Sequence, residues 1–291
     1  MPEIQNIATT PNLTVLSHYQ TQPLQSAHTQ GAQEAELSLD LGLTTVKVAL
    51  TAAGVCLPDA RCLTWQALAT ITAEPNSCFV LTEAGPEKIQ RFSAETNRHY
   101  TLYPTRRAPT LLISGIPMHR IKESDPYQDT LAKVKTIQPL VGRVLDTATG
   151  LGYTAIEAAK RADQVITVEF DPAVLEVARL NPWSRALFAN PRIEQRIGDS
   201  DDVIRDFADS SFNRILHDPP MFSLAGHLYG ADFYRELYRV LAQRGRLFHY
   251  IANPDSKSGA TMTRGVMKRL QAAGFSRVDR RPQAFGVVAA K

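Results

Sequence analysis

The chain has 291 residues, 44% of them hydrophobic and 21% charged, with a formal net charge of +3. Its length allows one large or two modest domains, and its composition is that of a soluble globular protein with a real core. No apolar run approaches the about 18–20 residues needed to cross a bilayer, which excludes a membrane-spanning helix.

Residues 1–34 read as a flexible tail, rich in Gln, Thr, Ser and Asn, without the basic and apolar regions of a signal peptide. Residues 35–117 read as a small α+β accessory module. Strands are expected over 45–51, 55–57, 77–82 and 99–103, and a helix over 64–71 with Thr64 as N-cap. Cys56, Cys62 and Cys78 all fall here; an odd number with no Cys-x-x-Cys implies ordinary buried or half-buried thiols in a reducing cytoplasm and no metal site.

Residues 118–140 form a connector and a leading helix. Gly115, Pro117 and Asp125-Pro126 predict an ordered, irregular segment, which can fold over a pocket and bring His119 and Arg120 near a substrate. A helix follows over 127–138, with Leu131, Val134 and Ile137 on one face.

From residue 141 to 291 strands and helices alternate. Strands are expected near 141–146, 164–169, 192–197, 212–217, 245–251, 275–280 and 284–290; helices near 152–162, 172–180, 201–207, 230–242 and 261–273. Arg281-Pro282-Gln283 leaves room only for a turn, so the last two strands form an antiparallel end hairpin.

Four strand ends carry the chemistry. Val144-Leu145-Asp146 runs into Thr147-Ala148-Thr149-Gly150-Leu151-Gly152, where glycines let backbone amides approach a ligand and Asp146 can orient the loop. The same spacing also fits a dinucleotide fingerprint, or a tightly packed turn with no ligand. The next strand ends in Glu169, 17 residues beyond Gly152, where a carboxylate can accept from both hydroxyls of a ribose; Phe170 can lie against an adenine face. The third ends in Gly198-Asp199-Ser200, where Asp199 suits an adenine amino group or caps the helix that follows. The fourth ends in His217-Asp218-Pro219-Pro220-Met221-Phe222. Its prolines fix the loop and leave carbonyls free for an incoming amine, Asp218 can orient or deprotonate a nucleophile, and His217 is a possible proton acceptor. Ser223 to Tyr229 is expected to form a short flexible cover, with Tyr229 near the substrate.

These four pieces, in this order and spacing, resemble the class I S-adenosylmethionine-dependent methyltransferases over roughly residues 125–291. The resemblance implies a Rossmann-like seven-stranded sheet, mostly parallel, with S-adenosylmethionine held by Asp146, Thr149, Gly150, Gly152, Glu169, Phe170, Asp199 and Ser200. It implies catalysis at Asp218, Pro219 and Pro220. In amino-methylating members an aromatic directly follows the prolines; here Met221 stands there and Phe222 comes one later, which departs from the base-stacking pattern. Over about residues 36–280 the chain is also similar to a narrower group of methyltransferase-like proteins from archaea and some bacteria. The carriers are Ser38-Leu39-Asp40-Leu41-Gly42-Leu43, Ser114-Gly115-Ile116-Pro117-Met118-His119-Arg120, Thr149 to Ile156 and His217 to Pro220.

The expected activity is methyl transfer to an acceptor left open, an amine nitrogen being favoured. Aminopropyl transfer from decarboxylated S-adenosylmethionine is the alternative, and a nucleic-acid or partner-binding protein with a vestigial cofactor pocket is the alternative from another class. Charge cuts both ways. Residues 144–234 hold 8 basic and 14 acidic side chains, whereas residues 88–143 hold 10 and 4 and residues 235–291 hold 12 and 3. The acidic block suits a cationic substrate; the basic blocks suit RNA if they converge on one face.

Overall fold

In the computed structural model, residues 13–253 and 256–291 are described. The carboxy-terminal half is a seven-stranded sheet in the order β14-β13-β12-β15-β16-β18-β17. Its strands are β12 (Arg143–Asp146), β13 (Gln164–Glu169), β14 (Ile193–Ile197), β15 (Phe212–His217), β16 (Leu241–Tyr250), β17 (Arg277–Arg281) and β18 (Gly286–Ala290). Strands β12 to β16 pair in parallel, and β18 runs antiparallel to both β16 and β17. The expected end hairpin is therefore present. The central strands read as apolar runs because helices cover both faces. Leu145, Ile166, Ile215, Leu216, Leu247 and Phe248 are all buried; each side chain contributes roughly 1.5–3 kcal/mol of burial.

The crossovers are α4 (Tyr153–Ala159), α5 (Pro172–Leu180), α7 (Ser200–Val203), α9 (Ala231–Val240) and α10 (Lys257–Ala272). Asp171 caps α5 through Ala173 N, with Pro172 at the first helical position. A short helix, α6 (Arg185–Ala189), was not legible in the sequence, and β16 begins four residues earlier than expected, at Leu241. The expected flexible cover is helical: α8 (Phe222–Ala225) and a 3₁₀ turn over Gly226–Tyr229. Leu228 and Tyr229 are buried, which gives that segment an anchor.

The amino-terminal region corrects one expectation. Residues 13–34 are folded, not a tail, and residues 1–12 lie outside the described residues. Strand β1 (Val15–Leu16) pairs with β6 (Phe79–Thr82). Helix α1 (His18–Thr29) opens on a capping box in which Ser17 and Gln20 satisfy each other's backbone amides. Val15, Leu16 and Leu24 are fully buried. The rest of the module holds β2 (Glu34–Leu37), β3 (Val46–Leu50), β4 (Gly54–Cys56), β5 (Cys62–Thr64), α2 (Trp65–Thr72), β7 (Gly85–Lys88), β8 (Gln90–Ser93), β9 (Arg98–Tyr103), β10 (Thr110–Ile113) and β11 (Ile116–Pro117). These strands form three small antiparallel sheets, more than the strands read from the sequence. Thr64 caps α2 as expected, accepting from Ala67 N.

Loop and side-chain contacts dock the module on the catalytic half, two of them at the Ser38–Leu43 loop and at Asp171. The Ser38–Leu43 loop is held by Asp40, which accepts from Thr44 N and Ser38 Oγ, and its Leu41 carbonyl accepts from Trp183 Nε1 at 3.1 Å. Asp171 accepts from Tyr100 Oη at 2.8 Å and from Thr96 Oγ1 at 2.7 Å. The leading helix α3 (Pro126–Lys135) is capped by Asp125, which accepts from Tyr127 N and Gln128 N.

Candidate active site

Strand order reverses direction between β12 and β15, so the loops after these two strands diverge at the carboxyl edge of the sheet. Ligands bind at such a switch point. A cavity of about 430 Å³ opens there, floored by the 147–151 loop, Glu169, Phe170 and Asp218, and walled by β9 to β11 of the accessory module. That volume suits a small-molecule or cofactor site.

The two glycines of the first loop do different work. Gly150 has φ +52° and a Cβ there would meet nothing within 4 Å, so its open side faces the cavity. Gly152 has φ +76° and a Cβ would lie 2.6 Å from Leu187 Cδ2. It lies outside the cavity lining and serves packing against α6. Asp146 is likewise buried beneath the loop. Its Oδ2 accepts from Thr154 and Thr167 hydroxyls, both at 3.0 Å. Burial pushes its carboxyl up to about 8. Thr149, which lines the cavity, bonds Thr167 Oγ1 at 2.7 Å.

Glu169 is nearly buried and lines the cavity. It accepts from Gly150 N at 2.8 Å and Asp171 N at 3.2 Å, which fixes both oxygens while leaving further lone pairs. Burial pushes it up to about 7, against those two amides. Phe170 presents an exposed ring at the rim. Asp199 lines the cavity while capping α7, and it pairs with His227 Nε2 at 2.9 Å. Ser200 Oγ donates to Thr147 O at 2.6 Å and ties the two loops together. A cradle open at Gly150, a carboxylate beside it and an exposed aromatic rim fit a nucleoside-bearing cofactor.

The fourth strand end departs from expectation in one respect. His217 is fully buried and outside the cavity lining. Its Nε2 lies 3.0 Å from Leu228 O, an atom that can only accept, so Nε2 carries the proton and Nδ1 accepts from Thr147 Oγ1 at 2.7 Å. Burial drives it down to about 3. It is a neutral strut between the first loop and the 226–229 turn, with no free nitrogen for a substrate proton. Tyr229 and Phe222 also lie off the lining: Tyr229 Oη donates to Pro220 O at 3.1 Å, and Phe222 packs edge-on against Tyr229. Met221 lines the cavity in its place. Of the two proline carbonyls, only that of Pro219 is without a protein donor among the described residues.

Asp218 does line the cavity, and beneath it lies a charged group that the sequence did not reveal. Lys133, 1% exposed, reaches Asp218 Oδ2 at 2.6 Å and Asp129 Oδ2 at 2.7 Å. Arg120 pairs with Asp129 and stacks on Phe285 at 4.1 Å. Desolvation would strip Lys133 of its proton, but the two carboxylates outweigh it and hold the ammonium charged. Two anions and two cations thus balance. Asp218 Oδ1 is left without a hydrogen-bond partner among the described residues. Tyr250 faces the cavity with its ring 4.5 Å from Lys133 Nζ, while its neighbour His249 is in the core. Ile116 to Arg120 of the connector line the cavity, and His119 Nδ1 lies 2.9 Å from Thr110 Oγ1. Burial lowers His119 to about 4, so it is neutral. Arg98 also lines the cavity; it reaches Leu224 O at 3.4 Å and makes no ion pair among the described residues.

A family described as a methyltransferase domain matches residues 145–249. An uncharacterised protein of Methanocaldococcus jannaschii is 50% identical over 206 residues, spanning 70% of this chain and 71% of that protein. A polyamine aminopropyltransferase of Aeropyrum pernix is 28% identical over 54% of this chain, and the chain spans about half of it (52%). The crystal structure of spermidine synthase from Thermotoga maritima superposes with a TM-score of 0.54 at 18% identity, over 69% of this chain and 70% of that one, which shows a common fold. Among the described residues no helix is long and apolar enough to cross a membrane. Its methyltransferase-domain match, sheet order and strand-end loops put the chain in the class I S-adenosylmethionine-dependent methyltransferase superfamily, and its 50% identity puts it in the same family as the Methanocaldococcus jannaschii protein.

Proposed function

We propose that the chain transfers the methyl group of S-adenosylmethionine to an amine nitrogen presented at the Asp218-Pro219-Pro220 loop. The observation that carries this reading is the buried Lys133 bridge. It fixes Asp218 by one oxygen and leaves Oδ1, with the Pro219 carbonyl, to accept N–H groups. Because Lys133 and Arg120 already balance Asp129 and Asp218, the acceptor end of the cavity carries no excess negative charge. A neutral amine suits such a site better than a polyamine, which enters as a multiple cation. Bound S-adenosylmethionine supplies a sulfonium methyl that needs little electrophilic help, so this chain's task is alignment and removal of one proton. Glu169 would hold the ribose hydroxyls, Asp199 the adenine amino group and Phe170 the ring face. Arg98, which makes no ion pair among the described residues, is available to the cofactor's α-carboxylate.

RNA is the acceptor class that the surface charge supports. Lys135 from the first basic block and Arg246, Arg277 and Arg281 from the second line two neighbouring grooves that share Thr136 and Arg281.

Aminopropyl transfer is the second reading, favoured by the aminopropyltransferase relatives. Calorimetric titration with S-adenosylmethionine, S-adenosylhomocysteine and decarboxylated S-adenosylmethionine separates the two. Tight binding of the first two, weakened in Glu169→Ala, supports methyl transfer. Preference for the decarboxylated form moves the reading to aminopropyl transfer, and no binding of any of them overturns both.

A further inference from the structure

Cys56 and Cys62 stand directly opposite each other on the antiparallel β4–β5 hairpin. The hairpin closes through Ala60 N to Leu57 O and Leu57 N to Arg61 O, with Ala60 at φ +67°. The Leu57–Arg61 rung is hydrogen-bonded, so by alternation the Cys56–Cys62 rung is not. In such a rung the Cα atoms lie about 4.5 Å apart and the side chains make their closest approach, within the about 4.4–6.8 Å that a disulfide spans. The two Sγ atoms are in fact 2.7 Å apart, inside ordinary contact of two thiols.

The register that creates this pair cannot slip. Val55, on the next rung, is fully buried, and a Cβ on Gly54, two rungs away, would lie 2.0 Å from Leu63 O, so the strands are pressed together there. At the tip, Arg61 Nη2 donates to Thr14 Oγ1 at 2.8 Å and fastens the hairpin to the segment before β1. Access differs among the thiols. Cys62 is exposed, Cys56 half-buried and Cys78 buried, so the reading of all three as ordinary sheltered thiols does not hold for Cys62. Neither Cys56 nor Cys62 lines the active-site cavity.

We propose that Cys56 and Cys62 are a redox-modifiable pair that closes to an intramolecular disulfide by exchange with a low-molecular-weight disulfide. The Cys62 thiolate attacks one sulfur of the oxidant; that sulfur–sulfur bond breaks and one thiol leaves. The Cys56 thiolate then attacks Cys62 Sγ in the mixed disulfide, the new bond forms and the second thiol leaves. Two electrons pass to the oxidant, and the two cysteine protons leave with its two thiols. The second step is fast because the attacking sulfur already sits in place.

The test is to incubate the reduced, folded full chain with oxidised glutathione, quench with acid, alkylate under denaturing conditions and measure intact and tryptic masses. The expected product has lost the mass of two hydrogens, carries one alkyl group, on Cys78, and yields peptide 48–61 linked to peptide 62–88. Cys78→Ala should close as the parent does, while Cys56→Ser should stop at a glutathione adduct on Cys62. An unchanged mass, a stable glutathione adduct on the parent chain, or a disulfide between two chains would overturn the proposal.

Discussion

Lys133 Nζ lies 2.6 Å from Asp218 Oδ2, joining the leading helix to the loop after the fourth strand. The lysine is 1% exposed and holds Asp129 with its other side. Removing one partner of a buried pair costs about 3–5 kcal/mol, because the other charge is stranded. Lys133→Met should therefore lower the melting temperature strongly, and the double variant Lys133→Met/Asp129→Asn should recover part of that loss. Both should lose turnover, since Asp218 is no longer held; a double variant with full turnover would show that the bridge does not position it.

Asp218→Asn keeps the shape of the loop and removes the anion. Turnover should fall by on the order of 10²-fold or more. The dissociation constant for S-adenosylmethionine should change by less than about threefold, because cofactor contacts are proposed elsewhere in the cavity. Calorimetry beside single-turnover kinetics checks both halves.

Cofactor affinity should depend on pH through Glu169. Burial raises its folded value to about 7, so the apo protein carries a growing share of protonated acid below that. Ribose hydroxyls donate to the ionised form, hence protonation competes with binding. Affinity should rise as pH increases from 5 to about 7 and level off above, with at most about a tenfold change per pH unit. Glu169→Gln should flatten the profile. A parent profile that is already flat would remove Glu169 from the ribose site.

The two loop glycines should fail in different ways. Gly152→Ala drives a methyl group against Leu187 and should cost about 1–3 kcal/mol of stability. Gly150→Ala meets no protein atom; apart from the modest cost of its positive φ, its loss should appear in S-adenosylmethionine affinity. Thermal melts with and without ligand separate the two effects.

Tyr100→Phe removes a buried donor to Asp171 and should destabilise the junction by about 1.5–3 kcal/mol. Burial pushes Asp171 up, but hydrogen bonds from Thr96 and Tyr100 outweigh it and hold the carboxyl below its usual range. With a depressed folded value, the stabilisation is present at neutral pH and is lost as pH falls through that value. Parent and variant should therefore converge in stability under acid, which pH-dependent melts would show.

The catalytic sheet was legible because its strands are apolar runs ending in loops of distinctive residue type; Gln164 to Glu169 and Phe212 to His217 match residue for residue. Folding of residues 13–34 was hidden because composition reports average polarity, whereas Val15, Leu16 and Leu24 are only three apolar anchors in a polar segment. Lys133 carries only an indirect signal. Asp129 and Lys133 are spaced i, i+4 and share the stripe of Pro126, Thr130, Val134 and Ile137, so a charged pair lies on the buried face of α3. His217 misled because it is the last residue of β15 and packs into the core, whereas Asp218 opens the loop that lines the cavity. Arg98 carries no local signal at all; it reaches the cavity only because the accessory module packs there.

Glu169 and Asp171 are separated by Phe170 alone, and that spacing has a thermodynamic corollary. Both residues line the cavity, and Asp171 also fastens Tyr100 and Thr96 of the accessory module. A ligand that stiffens this three-residue hinge point makes undocking of the module harder, and by reciprocity anything that pulls the module away must loosen the ligand by the same factor. Were the module to undock, cofactor affinity and module docking would be linked through these three residues.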